Sequence, residues 1–259
     1  MVRGPPPRFP PNRSRRTAAA PDKEECLNSD GFRPNGLCLD IESAADGTGT
    51  VFKLGAWRAD TGAGQTFQGA FTTEDLCRGL DRLSAGATFV LGHNITDHDL
   101  PVLAAHYPDL ALHRLPVLDT LWLSPLAFPQ NPYHSLIKDY KLVKDTLNDP
   151  LQDARLSFRL FEDQREAFAQ LHRDAPDELA CAPRTGYDSL FTAMRGEGRP
   201  PLESIPARFR RLVQDKVCTT RLAELLRDDL RRSEQHLPLA YVLAWLRVAG
   251  GNSVLPPWV

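Results

Sequence analysis

A succession of short apolar runs, each set apart by turn residues and too short for a stable helix, most constrains what this chain can fold into. Leu37–Ile41 and Val51–Trp57 read as buried strands, and Gln65–Phe71 as a third behind the turn Thr61–Gly64. Thr72–Leu83 changes to helical spacing, with Leu76, Leu80 and Leu83 on one side and Thr72 ahead of an acidic first turn. Thr88–Leu91 is strand-like again. Asp99–His106 suggests a short helix that tolerates Pro101 in its first turn, and Val117–Leu123 reads as a further strand. Three strands, a helix, a strand, a helix and a strand specify an α/β class, a mixed sheet covered by helices.

Asp149–Leu171 is the clearest long helix. Asp149 suits the N-cap, Pro150 the first helical position and Gln152 the third, and Leu151, Ala154, Phe158, Phe161, Ala167 and Leu171 trace an apolar stripe. Beyond Arg173 strand signals nearly vanish. Leu179–Arg195, Pro206–Arg232 and Leu237–Val248 read as helices. The expected organisation is a basic Pro/Arg-rich arm over 1–34, an α/β domain over 35–172 and an α-helical appendage over 173–259. The arm carries Arg3, Arg8, Arg13, Arg15 and Arg16 without apolar periodicity, so disorder is expected, and it has no apolar core of a secretory signal.

Composition excludes several classes. With 25% charged and 42% hydrophobic residues and a net charge of −2, the chain reads as a globular protein and not as a globally basic nucleic-acid binder. The most apolar run, Pro238–Leu246, is too short to span a membrane. The five cysteines are scattered without a CxxC pair, which gives neither a zinc site nor a disulfide framework. A reducing, cytoplasmic setting is the expectation.

Candidate chemistry lies in three acidic segments. In Cys38-Leu39-Asp40-Ile41-Glu42, residues two apart share a strand face, so Asp40 and Glu42 point the same way. Two adjacent carboxylates repel, and a hard divalent cation removes that cost; taken alone, the segment reads more readily as a solvated strand end. In Gly92-His93-Asn94-Ile95-Thr96-Asp97-His98-Asp99, a strand enters a turn and a helix opens near Asp99, which alone reads also as a cap. His93, Asp97 and His98 fit no zinc spacing template. In Asp149-Pro150-Leu151-Gln152-Asp153, Asp149 explains itself as a cap, whereas Asp153 has no such task and lies beside the buried stripe.

The order and character of these segments resemble the Exo I, Exo II and Exo III motifs of the DEDD (DnaQ-like) 3′–5′ exonuclease superfamily, over roughly Gly36–Leu171. The stretch Asp119–Phe128, followed by Asn131-Pro132-Tyr133-His134, looks like the exonuclease-like domain at the N-terminus of large bacterial RecQ-type DNA helicases. The resemblance implies a ribonuclease H-like fold and hydrolysis of DNA or RNA phosphodiester bonds from single-stranded 3′ ends, in DNA repair or helicase-linked processing. It implies two Mg²⁺ or Mn²⁺ ions held by Asp40, Glu42, Asp99 and Asp153, nucleic-acid contacts from His93 and Asn94, and a RecQ-type helicase as partner in cis or trans. Lys138, Lys141 and Lys144, just before the third motif, are the candidate phosphate contacts, while Arg208, Arg210 and Arg211 read as a solvated helix face.

The sequence also departs from the family. The histidine expected five residues before the third-motif Asp is Asn148, and the tyrosine of the other branch, four before, is Asp149. Asn148 can orient a water but cannot take its proton. His134 and Tyr140 are the substitute acceptors nearby. A catalytically degenerate ribonuclease H-like module, binding nucleic acid or a helicase, is the alternative reading.

Overall fold

A computed structural model describes residues 35–44, 48–69, 71–130, 149–182, 187–190, 201–213, 220, 223 and 236–248. These form a five-stranded mixed sheet with helices on both faces. Strand β1 is Gly36–Ser43, β2 Val51–Arg58, β3 Gly64–Gln68, β4 Phe89–Gly92 and β5 Val117–Asp119. The order is β3-β2-β1-β4-β5, with β2 antiparallel to its neighbours and β1, β4 and β5 parallel. Covered on both faces, β1 reads as a continuous apolar run up to Leu39.

The two faces of β1 are built differently. Leu37, Leu39 and Ile41 join Leu54, Ala56 and Phe67 in a core closed by helix α1 (Thr73–Ser84) through Leu76, Leu80 and Leu83. Thr72 caps that helix by accepting the Asp75 amide at 3.0 Å. Each fully buried aliphatic or aromatic side chain here contributes roughly 1.5–3 kcal/mol. Leu103 of helix α2 (Asp99–His106) completes this layer.

The opposite face is kept low by Gly36, Cys38 and Gly55, and a long helix lies across it. The spans of α3 (Thr120–Ala127) and of this helix, α4 (Pro150–Asp174), are both set by aspartate caps: Asp119 accepts the Leu121 amide, and Asp149 the Leu151 amide. A methyl group on Gly55 would stand 2.1 Å from the Leu151 nitrogen, so the first turn of α4 rests on β2 backbone. Further along, Phe158 meets Trp57 edge-on at 5.6 Å and Phe161 meets Phe89 at 5.9 Å. Since Trp57 pairs with Cys38 and Phe89 with Gly36, α4 runs antiparallel to β1 and begins near its C-terminal end.

Further helices are α5 (Pro176–Ala180), α6 (Ile205–Val213) and α7 (His236–Arg247), and residues 187–190 are helical as well. They belong with the sheet to the compact unit Arg33–Val259. Arg208 pairs with Asp177 and Arg247 with Glu178, and the Tyr187 hydroxyl donates to the Trp122 carbonyl at 3.0 Å.

Several sequence expectations need correction. The strand expected over Val117–Leu123 stops at Asp119, because the Asp119 cap turns an apolar run compatible with either periodicity into a helix. The third strand ends at Gln68 and not Phe71, since Gly69 takes φ +74° and leaves the extended region. The helix expected over Leu179–Arg195 is interrupted: a helix starts earlier, at Pro176, and stops at Ala180 before a turn at Cys181, residues 187–190 are helical as expected, and 183–186 and 191–195 lie outside the described residues. The arm over 1–34 lies outside the described residues, as do parts of the expected C-terminal helices.

Candidate active site

Asp40 sits half-buried on β1 directly opposite Gly55, beside the start of α4. Glu42 follows on the same face, opposite Lys53, immediately before a register shift at Ser43. Cys38 shares this face but is no nucleophile, because burial pushes its thiol far up, with Glu162 adding to the effect.

Asp99 reaches this end of β1 from the other direction. Strand β4 pairs with β1 only as far as Cys38–Leu91 and ends at Gly92. The Ile41 amide, farther along β1 than that pairing, donates to Asp99 Oδ1 at 2.9 Å. Asp99 is 4% exposed. Burial pushes its carboxyl up to about 6, while the charge of His98 and the Ile41 amide pull it down. His98 Nδ1 lies 3.5 Å from Asp99 Oδ2. The cap reading of Asp99 is therefore replaced: His98 occupies the N-cap without a side-chain bond, and Asp99 serves β1.

Asp153 lies one turn into α4, where its amide donates to the Asp149 carbonyl. Helical spacing puts it on the side of Ser157, Leu160 and Gln164. Gln164 points toward α3, donating to the Thr120 carbonyl at 2.8 Å and to Ser124 Oγ at 2.9 Å. Leu151 faces the other way, against Gly64 of β3. Asp153 thus belongs to the side of α4 over the β1–β4 half of the sheet. The second and third acidic segments each reach the end of β1 that carries Asp40 and Glu42, Asp99 through the Ile41 amide and the start of α4 over Gly55. Their side chains are not preassembled: among the described residues, no group of three or more His, Cys, Asp or Glu is arranged to hold a metal ion.

His93, Asp97 and His98 separate toward different partners. His93 Nδ1 is 2.9 Å from Thr120 Oγ1, the Trp122 indole donates to Asp97 Oδ2 at 3.2 Å, and His98 lies against Asp99. Asn94 takes φ +62°, which asparagine tolerates better than most residues. Asn148, His134, Tyr140, Lys138, Lys141 and Lys144 lie outside the described residues.

Sequence reasoning gave Asp119 and Thr120 no role of their own. Asp119 is 2% exposed and accepts three amides, those of Asn94, Thr96 and Leu121, each at 2.9 Å. Burial pushes its carboxyl up and these amides pull it down. An Asp-Thr pair inside an apolar run was the available signal, since a carboxylate there needs buried donors. Comparison with known protein families finds no match, and comparison with curated proteins finds none either.

Proposed function

We propose that this chain is a metal-dependent 3′–5′ exonuclease of the DEDD type, on a ribonuclease H-like fold, acting on single-stranded DNA or RNA ends. The observation that carries the reading is the Ile41–Asp99 hydrogen bond, which ties the second acidic segment to the strand bearing Asp40 and Glu42. The sheet order β3-β2-β1-β4-β5, with β2 antiparallel, supports the fold assignment.

The donors suit Mg²⁺ or Mn²⁺ by chemistry, since hard cations take carboxylate oxygens, and a buried carboxyl raised to about 6 is one that a cation relieves. Asp40, Glu42, Asp99 and Asp153 would hold the ions, which when bound lower the pKa of water and neutralise charge on a leaving oxygen. The chain itself supplies placement. Asp99 anchors α2 on β1, Gly55 admits the first turn of α4 beside Asp40, and Asp119 and Thr120 hold the His93–Asn94 turn that follows β4. Asn148 would orient the water by hydrogen bonding without accepting its proton. Loss of a general base costs about 10²–10⁴-fold in rate, which leaves a slow enzyme.

Asn148 in place of histidine also favours a second reading, a degenerate module that binds nucleic acid or a RecQ-type helicase in cis or trans. Digestion of 5′-labelled single-stranded DNA and RNA with Mg²⁺ or Mn²⁺ separates the two. The enzyme shortens the strand stepwise from its 3′ end and Asp40→Ala does not; the module leaves it intact under both metals. Among the described residues, no helix is long and apolar enough to cross a membrane.

A further inference from the structure

Helix α2 begins with Asp99, yet its own N-cap does not fasten it, because His98 makes no side-chain capping bond. The hold comes from the turn before it. Asp119 Oδ1 accepts the Asn94 amide and Oδ2 the Thr96 amide, each at 2.9 Å, and the Trp122 indole donates to Asp97 Oδ2 at 3.2 Å. Between the two Asp119 bonds lies Ile95, fully buried. Its carbonyl accepts the Leu100 amide at 2.9 Å, and the Asn94 carbonyl accepts that of His98 at 3.1 Å. The turn fastened by Asp119 thus runs without a break into α2. Gly92 lets it lie against β1, since a Cβ there would stand 2.9 Å from both the Ile95 Cβ and the Leu39 carbonyl oxygen.

Capping α3 does not account for Asp119. Oδ1 serves that cap through the Leu121 amide, a task that serine, threonine or asparagine performs as well. Oδ2 serves the Thr96 amide instead, and Thr96 favours the carboxylate through its hydroxyl too. Burying a carboxylate costs free energy that only its donors offset, so a buried acid whose donors come from two elements points to a task between them.

We propose that Asp119 is a positioning residue for Asp99: it fixes the turn 94–98 so that α2 starts with the Asp99 carboxylate already placed at the Ile41 amide of β1. The link between the two acids runs through backbone and rests on the hydrogen bonds alone. Its consequence for a cation rests on the proposed function, in which Asp99 is one of the four carboxylates that hold the ions. A carboxylate placed beforehand lowers the ordering cost of binding, so releasing it weakens metal affinity.

The test uses the full chain and three variants. Asp119→Asn retains Oδ1 for the Asn94 and Leu121 amides but turns a donor toward the Thr96 amide. Asp119→Ser keeps a cap for α3 and gives up both turn amides. Arg58→Met, which strands the Leu83 and Ala85 carbonyls, is the control for lost stability alone. Amide exchange is followed by NMR in EDTA, with Leu39 of the same strand as reference for Ile41. The Ile41 exchange rate relative to Leu39 should rise about tenfold in Asp119→Asn, further in Asp119→Ser, and not in Arg58→Met. An unchanged ratio in Asp119→Asn and Asp119→Ser overturns the proposal, and so does an equal rise in Arg58→Met. Should Asp119→Ser fail to fold, Asp119→Asn decides. Calorimetric Mn²⁺ affinity should then fall by about 10–100-fold in Asp119→Asn and hold in Arg58→Met. Unchanged affinity with the Ile41 amide released overturns the claim that this placement serves a cation. An unaltered chain that binds no Mn²⁺ removes the proposed function, while the Ile41 exchange still decides the link from Asp119 to Asp99.

Discussion

The Asp99 carboxylate accepts the Ile41 amide at 2.9 Å across 58 positions of sequence, and so fastens the start of α2 to β1 beyond its last pairing with β4. The bond uses a carboxylate where any acceptor would close the edge. That choice leaves a buried acid at the sheet end, and it has measurable consequences.

The first concerns pH. Burial raises the Asp99 carboxyl from 3.8 to about 6, so the folded chain holds this proton more tightly than the unfolded chain. Between roughly pH 4 and pH 6 the folded state binds more protons, and this contribution to stability is lost as pH rises through that window. About two units correspond to on the order of 2–3 kcal/mol. Asp99→Asn keeps an oxygen for Ile41 without the charge. Urea midpoints in EDTA from pH 4 to 7 should show the variant lacking this part of the decline and gaining on the parent above pH 6. Parallel curves for the two proteins would contradict the assignment.

Gly55 offers a test of how α4 is seated. A Cβ would meet Leu151 backbone at 2.1 Å, and backbone cannot turn aside as a side chain can. Gly55→Ala should cost about 1–3 kcal/mol by overpacking. It should also weaken Mn²⁺ binding, because the turn carrying Asp153 moves relative to Asp40. An unchanged melting temperature would show that α4 is not held against β2 as described.

Arg58 is a clamp far from the acidic end. Its guanidinium donates to both oxygens of Asp60, at 2.9 and 2.7 Å, and to the Leu83 and Ala85 carbonyls at the end of α1, at 2.7 and 2.6 Å. Arg58→Met should destabilise by roughly 2–3 kcal/mol by stranding those carbonyls, with metal affinity unaffected. Arg58→Lys should recover only part, since an ammonium lacks the planar fork. Chemical denaturation of the three proteins measures both effects.

Much of this was legible residue by residue. Thr72, Asp149 and Pro150 marked helix starts because capping is local chemistry, and the strand positions of Asp40 and Glu42 followed from period-two alternation. What sequence did not carry was partnership over distance. Nothing near Asp99 says that its oxygen serves Ile41, and nothing near Asp119 says that it gathers Asn94 and Thr96. The run around Leu118–Leu123 fits either period, and only the Asp119 cap makes it a helix. Gly55 looked like an ordinary strand residue until α4 lay on it.

Asn148 is where chemistry should be recoverable. If the lack of a proton acceptor is the main defect, Asn148→His should raise the single-turnover hydrolysis rate by up to about 10²–10⁴-fold. The gain should be largest near neutral pH, where a neutral imidazole accepts. His134→Ala in parallel checks the substitute acceptor, and a strong loss there would transfer the role to His134. No gain from Asn148→His while Mn²⁺ still binds would favour the degenerate module.

The central claim is that three separate segments make one cation site at the C-terminal end of β1. Calorimetric titration of Mn²⁺ into the unaltered chain and into Asp40→Ala, Asp99→Asn and Asp153→Ala tests it most directly. The account predicts saturable binding that each substitution weakens by at least about tenfold, or roughly 1.4 kcal/mol. Absence of binding in the unaltered chain, or equal binding in all four proteins, would contradict it.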